Sequence, residues 1–416
     1  MIEIYGPAEL GGEIDVQGAK NSTLPLLAAA VICKGQTILH NCPALSDVET
    51  AVRILEHLGC NCRREENTLI VDNKMTGCEI PVDLMRGMRS SIVFLGALVS
   101  RCGEANLYFP GGCEIGLRPI DLHISSLKKL GIEITELGGC LRCHAPNGMI
   151  GSYVSLSFPS VGATENLILA AVCAKGTTVI TNAAQEPEIT DLAEYLNRCG
   201  AKIYSAGESC IVIDGVEELY GSEHTIMPDR IVAATYMSAA AVTGSDLTLH
   251  HVNNAHIMPM LSPYEESGCA IRQFGSSLNI MAPRRLQAVK HIRTMPYPGF
   301  PTDAQPIVMP MAAIGQGTSV FVENIFENRY KYAEELNRLG AKIRVEGKVA
   351  IVEGVEALEA APVFSLDLRG GAALVVAALA AHGKTQITGE TYIERGYERI
   401  VENFTALGVR IQKVPL

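Results

Sequence analysis

Three kinds of residue stand out by type and spacing: a cysteine in a glycine-rich loop, a single aspartate, and a series of cations at matched positions. In Pro110-Gly-Gly-Cys113-Glu-Ile-Gly116-Leu-Arg118-Pro119, three glycines fall within seven residues, beside a lone thiol with an arginine five residues after it. Glycine lets a backbone move and approach a ligand closely. A nearby cation favours the reactive thiolate. The same string also reads as a flexible hairpin with an incidental cysteine. Asp303, in Pro298-Gly-Phe-Pro-Thr-Asp-Ala-Gln305, reads equally as a helix N-cap and as a general base.

The cations gain meaning from a repeat. The phrases EHLGCNC, KKLGIEI, NRCGAKI, EESGCAI, NRLGAKI and TALGVRI place Gly59, Gly131, Gly200, Gly268, Gly340 and Gly408 at separations of 68 to 72 residues. Lys20, Arg89, Arg230, Asp303 and Arg369 lie 37 to 42 residues before these glycines, and Gly162-Ala-Thr164 takes that place in the remaining copy. This is where each copy opens a helix. A helix N-terminus carries partial positive charge, so cations there suggest an anion bound between helix ends and side chains. Solvated surface charge is the plainer reading of any one of them. A second series, Arg118, Arg329 and Arg395, lies 11 to 13 residues before its glycines. Small ligands bearing phosphate and carboxylate groups suit such a set.

These side chains must be positioned by about six copies of a 69-residue unit, each read as helix, strand, helix, strand, strand. The recurring glycine follows a last helical turn, where the left-handed conformation closes the helix. A unit of this size cannot bury its own apolar face, so the copies must pack on one another. The sixth copy stops after VRIQKV, short of its last strand, and MIEIYG at the N-terminus can supply it. We therefore expect a discontinuous arrangement: residues 20–227 as one domain of three repeats carrying the Cys113 loop, and 1–19 with 228–416 as the other. The active site is expected in the cleft between them.

Three motifs read as structure. Cys140-Leu-Arg-Cys143-His144 matches a haem-attachment spacing but sits within a predicted strand pair. Gly383-Lys384-Thr385 ends like a phosphate-binding loop, yet Ala378 stands where its first glycine belongs. Cys60 and Cys62 read as core thiols, and no cluster has convincing metal spacing.

Composition narrows the class. The chain has 416 residues, 48% of them hydrophobic and 19% charged, with 13 cysteines and a net charge of −11. That excludes a disordered or fibrous chain and argues against nucleic acid or anionic membrane as a partner. The start has no basic and apolar leader pattern, and the longest apolar runs fall short of the ~18 residues that span a bilayer. A cytoplasmic protein with reduced thiols is expected, taken as a monomer with an oligomer left open.

GAKNS (18–22), MRSSIVFLG (88–96), PGGCEIGLRPIDLHI (110–124), SVGATEN (160–166), EPEITD (186–191), FPTDAQ (300–305), FENRY (326–330), DLRGGAAL (367–374) and ERGYERI (394–400) together resemble the enolpyruvyl transferases, and among them the UDP-N-acetylglucosamine 1-carboxyvinyltransferase type. The resemblance runs the full length and in order. It implies a two-domain inside-out α/β barrel of six repeats, without metal or organic cofactor. It implies transfer of the enolpyruvyl group of phosphoenolpyruvate to the 3′-hydroxyl of UDP-N-acetylglucosamine, with phosphate released, as the first committed step of peptidoglycan synthesis.

On this resemblance Cys113 is the general acid and Asp303 the general base, with Lys20 and Arg395 also catalytic. Lys20, Asn21, Arg118 and Arg395 hold phosphoenolpyruvate, supported by Arg89 and Arg369. The sugar nucleotide meets Asn21, Arg89, Arg118, Pro119, Ile120, Asp121, Leu122, Phe158, Ser160, Val161, Gly162, Asp303, Ile325 and Arg329, with Glu186 close by. Two rival readings are transfer to another acceptor such as shikimate 3-phosphate, and a silent paralogue that only binds UDP-sugar.

Overall fold

The computed structural model describes residues 1–111, 115, 116 and 120–415. Six helices are apolar nearly all round: α1 (Lys20–Ile32), α2 (Phe94–Cys102), α3 (Val161–Ala171), α4 (Arg230–Thr243), α5 (Gln305–Ile314) and α6 (Leu368–Ala380). A helix with no polar face has nowhere to meet water and must be covered on every side. Eleven of the 13 residues of α1 and 13 of the 14 of α4 are indeed buried. The helices between them, such as Ser46–His57 and Pro187–Arg198, bury one stripe and keep a charged face outward.

The chain forms two compact units. One contains residues 18–111 and 120–227, with α1, α2 and α3 packed on one another in a core from Leu24 to Ile226. The other contains residues 1–17 and 228–415, with Ile115 and Gly116, and packs α4, α5 and α6 together. Each core helix is worth many buried apolar side chains, at about 1.5–3 kcal/mol for each fully buried Leu or Ile.

Sheets cover these helices, so the barrel is inside out. Among the described residues the same strand order recurs six times. In the first case Glu223–Thr225 runs parallel to Gly35–His40, which pairs antiparallel with Thr68–Asn73, which in turn pairs with Asn61–Glu65. Thr177–Thr181 and Cys210–Asp214 alternate buried and partly exposed residues, as expected of sheets with one face on a core. In the last sheet Ile2–Gly6 lies between Ala381–Thr388 and Ile411–Lys413, antiparallel to both. The N-terminus thus fills the strand position that the sixth copy lacks.

The six recurring glycines all have φ between 86° and 106°. A side chain would be strained there, which explains why this residue marks every copy. Cys140–His144 is a strand, paired with Glu104–Tyr108 and Glu133–Leu137. Two details differ from the sequence reading. Each sheet begins with a two- or three-residue parallel strand, too short to carry an alternation signal. The helix expected at Arg89 opens as a 3₁₀ turn, Arg89–Val93, before α2 begins.

Candidate active site

In the unit built on α4, α5 and α6, the sequence-flagged residues converge on Asp303. It lies in the turn just before α5, not within the helix. Its Oδ1 accepts from Arg329 Nη2 at 3.0 Å and its Oδ2 from Arg369 Nε at 3.3 Å. The two guanidinium groups are almost wholly buried, while the Asp303 side chain keeps 29% of its surface open. Two cations this close favour the carboxylate over the acid. Arg369 is fully enclosed: burial opposes its charge, but Tyr397, Asp303 and Asp229 outweigh this and hold it protonated. Its guanidinium carbon stands 5.5 Å from the centre of the Tyr397 ring. The starts of α4, α5 and α6 are thereby electrostatically linked through Asp229, Asp303 and Arg369.

The same unit caps its own helices. Asp229 Oδ1 accepts from the backbone N–H groups of Ile231 and Val232, and Asp367 Oδ1 from those of Arg369 and Gly370. By contrast, α5, with Ala304 as its N-cap residue, begins without a side-chain cap. Arg395 is half-buried in the turn after Glu390–Ile393, and Ile325 is half-buried in the segment after Thr318–Val322.

In the unit built on α1, α2 and α3, Lys20 is the first residue of α1, whose N-cap is Ala19 and offers no side chain. Lys20 Nζ donates to Asp47 Oδ2 at 3.2 Å, with both side chains mostly buried. Behind it Ser22 donates to Asp191 Oδ2 in a short contact, and His224 Nε2 pairs with Asp191 Oδ1 at 3.0 Å. This network ties the first turn of α1 to the helix Pro187–Arg198 and the strand Glu223–Thr225. Arg89 is half-buried at the 3₁₀ turn, which packs against α1 and α3.

Two further predicted segments meet beside α3. Ser160 caps it, accepting from Ala163 N at 3.4 Å, and Val161 and Gly162 open it. Ile120 is buried, Leu122 half-buried and Asp121 exposed, at the start of Asp121–Lys129. His123 joins the two segments: its Nδ1 pairs with Asn166 Nδ2 at 2.7 Å, and a β-carbon on Gly162 would sit 3.0 Å from its Cε1. Phe158 is 41% exposed, two residues before the cap. Glu186 precedes Pro187 as the cap residue of its helix. Cys113, Arg118 and Pro119 lie outside the described residues.

Sequence reasoning missed Asp47, Asp191, His123, Asn166, Thr302 and Glu323. Each is common as a cap, turn or surface residue and none has a recurring repeat position, so only the fold reveals its partners. Chemically, one unit offers an oriented carboxylate able to take a proton from a hydroxyl. The other offers a lysine at an uncapped helix start, suited to an anion.

The chain matches the family model described as EPSP synthase (3-phosphoshikimate 1-carboxyvinyltransferase) over residues 4–404. It is 48% identical to UDP-N-acetylglucosamine 1-carboxyvinyltransferase 2 of Caldanaerobacter subterraneus subsp. tengcongensis, covering 99% of both chains. It is 45% identical to UDP-N-acetylglucosamine 1-carboxyvinyltransferase 1 of Symbiobacterium thermophilum, covering 99% of this chain and 94% of that one. Among solved structures, the enolpyruvyl transferase NikO from Streptomyces tendae superposes with a TM-score of 0.89 at 25% identity, covering 99% of this chain and 98% of that one. EPSP synthase from Acinetobacter baumannii, at 19% identity with a TM-score of 0.73 and 99% of each chain covered, shares the fold. Matches of this length, in both sequence and backbone, leave one assignment: the chain belongs to the enolpyruvyl transferase family and is a transferase.

Proposed function

We propose that this transferase moves the enolpyruvyl group of phosphoenolpyruvate to the 3′-hydroxyl of UDP-N-acetylglucosamine and releases phosphate, the first committed step of peptidoglycan synthesis. The observation that carries this reading is full-length identity of 42–48% to relatives that bear that name. The reaction belongs in the cytoplasm, with a monomer as the working unit.

In this reading Cys113 and Asp303 are the acid and the base. Cys113 donates a proton to the methylene carbon of phosphoenolpyruvate, and C2 takes on oxocarbenium character. The sugar hydroxyl attacks C2 as Asp303 takes its proton, giving a tetrahedral adduct that carries phosphate and sugar on one carbon. The methyl group then gives back a proton, the C2–O bond to phosphate breaks and the enol ether forms. Lys20, Arg118 and Arg395, with Arg89 and Arg369 nearby, bind the phosphate and carboxylate, and fixed cations stabilise the charge that develops on the leaving phosphate. Asn21, residues 118–122, Phe158, Ser160, Val161, Gly162 and Ile325 receive the sugar nucleotide. Arg329 serves that half of the site from beside Asp303. An acid and a base matched to their protons contribute about 10²–10⁴-fold each.

The test is phosphate release from phosphoenolpyruvate with UDP-N-acetylglucosamine, and separately with shikimate 3-phosphate, each with and without the epoxide fosfomycin. Release that requires the UDP-sugar and stops with the epoxide supports the acceptor and the Cys113 assignment together. Release only with shikimate 3-phosphate keeps the family and overturns the acceptor. A Cys113→Asp variant should retain turnover, because a carboxylic acid can replace the thiol as proton donor, and should lose its sensitivity to the epoxide.

A further inference from the structure

We infer that Glu323 and Arg329 are positioning residues that lock the Asp303 carboxylate and the Ile325–Phe326 backbone into one body, so that acceptor seating and proton removal are set together. The inference rests on the assignment of Asp303 as the base and adds two residues which that assignment does not need.

Glu323 is 1% exposed and uses both carboxylate oxygens. Its Oε1 accepts from the backbone N–H of Ile325 at 2.8 Å and of Phe326 at 3.0 Å. Its Oε2 accepts from Thr302 Oγ at 3.1 Å. Fixing the turn at Ile325 requires only one acceptor oxygen. The second reaches across to the residue before Asp303. From there the path continues through Arg329, whose Nε and Nη2 donate to the Thr302 carbonyl at 3.2 and 3.0 Å while Nη2 also reaches Asp303. Arg329 is 2% exposed, and its guanidinium carbon lies 5.9 Å from the Phe326 ring centre, which closes the circuit. A buried carboxylate and a buried arginine are costly to keep in a merely structural turn. Placing them on either side of the base gives that cost a use.

The test uses the full-length enzyme with Arg329→Gln, Arg329→Lys and Glu323→Gln. Besides Arg329 and Arg369, the titratable groups around Asp303 among the described residues include Asp229 and Tyr397 beside Arg369, Asp367 two residues before it, and Tyr332 beside Arg329; the variants leave all of these in place. Asp303 must be unprotonated to act, so activity falls on the acid side. Removing one of its two cations raises its proton affinity, and the acid limb of kcat should move up by about one pH unit in Arg329→Gln, with kcat itself down about tenfold to a hundredfold. Arg329→Lys keeps the charge and should return the limb towards wild type while kcat stays low, because the fork is lost. Glu323→Gln should raise KM for UDP-N-acetylglucosamine about tenfold, the effect of losing one oriented hydrogen bond to a charged group, and should move the limb in the same direction by less.

The Asp303 carboxyl titration, read by ¹³C NMR as the difference between wild type and Asp303→Asn, should follow the same shifts and needs no substrate. It therefore decides the inference even where the UDP-sugar proves not to be the acceptor. An unmoved limb and an unmoved titration in Arg329→Gln of wild-type Tm overturn the proposal. Should that variant not fold, an unchanged KM and titration in Glu323→Gln overturn it equally.

Discussion

Two carboxyl groups, one in each unit, are treated in opposite ways. Asp303 lies between two buried guanidinium groups at 3.0 and 3.3 Å and remains partly open. Glu165, in the second turn of α3, is buried, and among the described residues no arginine shifts its charge. Burial pushes its pKa well up, and Glu188 and Glu186 push it further. Counterions favour the charged form of the first, and burial beside like charge favours the neutral form of the second. Neither the residue type nor the sequence neighbourhood distinguishes them; the counterions supplied by other helices do. Individual helix starts differ too, though not unit by unit, since α5 is uncapped and α3 is capped by Ser160. In the Asp303 unit, α4 and α6 spend their first N–H groups on Asp229 and Asp367. In the other unit α1 has no side-chain cap, and its first residue is a lysine. In one unit Asp303 is held by Arg329 and Arg369. In the other, a positive helix end begins with Lys20, which pairs with Asp47, a start of the kind that suits an anion.

The largest effect should come from breaking the charged side of that contrast. Asp303→Asn should lower kcat by about 10³-fold through loss of the base. Binding of UDP-N-acetylglucosamine, followed by calorimetry, should stay within about threefold, since the amide keeps the shape of the side chain. Unfolding should also become easier, because Arg369 is left in a closed site without its carboxylate partner. Turnover near the wild-type value would remove Asp303 from the mechanism.

Lys20→Met tests the open helix end in the other unit. Loss of a charge-assisted contact of about 1.5–3 kcal/mol should weaken phosphoenolpyruvate binding about tenfold to a hundredfold. It also strips Asp47 of its cation. Asp47→Asn should therefore change binding far less than Lys20→Met if the lysine acts on ligand, and equally if the pair is only structural.

The fold was more legible in the sequence than the site. Six glycines at one spacing, each forced by a left-handed turn, declared the repeat, and the missing strand of the last copy pointed to Ile2–Gly6 as its complement. Cations in matched positions led to Lys20, Arg369 and Arg329 because repetition exposes what departs from it. Asp303 was visible on the same ground as the one acid in that series. What holds these residues was not legible. Arg329 meets Asp303 from 26 residues away and Arg369 from 66. Glu323 looks like any acid at a strand end until its two oxygens are traced. Partners of that kind are chosen by packing between helices, for which a single sequence has no periodic mark.

Packing beside α3 offers a stability test at the next scale. A β-carbon on Gly96 would lie 2.3 Å from the Asn166 carbonyl oxygen, so Gly96→Ala must push α2 and α3 apart. The cost should be about 1–3 kcal/mol in urea unfolding. Among the described residues Gly162→Ala meets the His123 ring alone, at 3.0 Å, and should cost less stability while raising KM for the sugar nucleotide. The reverse order of stabilities would mean that the His123–Asn166 pair is more tightly fixed than the helix backbones it joins.

The smallest effect belongs to Glu165 and has a definite sign. Its folded-state pKa lies above the unfolded value, so the folded chain binds the additional proton. Between the unfolded and folded values, folding takes up a proton at this group. Stability from this group is therefore greatest below the unfolded pKa and is lost as pH rises towards the folded one. Glu165→Gln removes that dependence while keeping shape and hydrogen-bonding capacity. The variant should show a higher Tm than wild type above pH 7, a gap that closes as the pH falls towards 5, and an unchanged kcat. A gap that widens at low pH would mean that Glu165 is held ionised by a partner, and the contrast with Asp303 would collapse into two carboxylates of one kind.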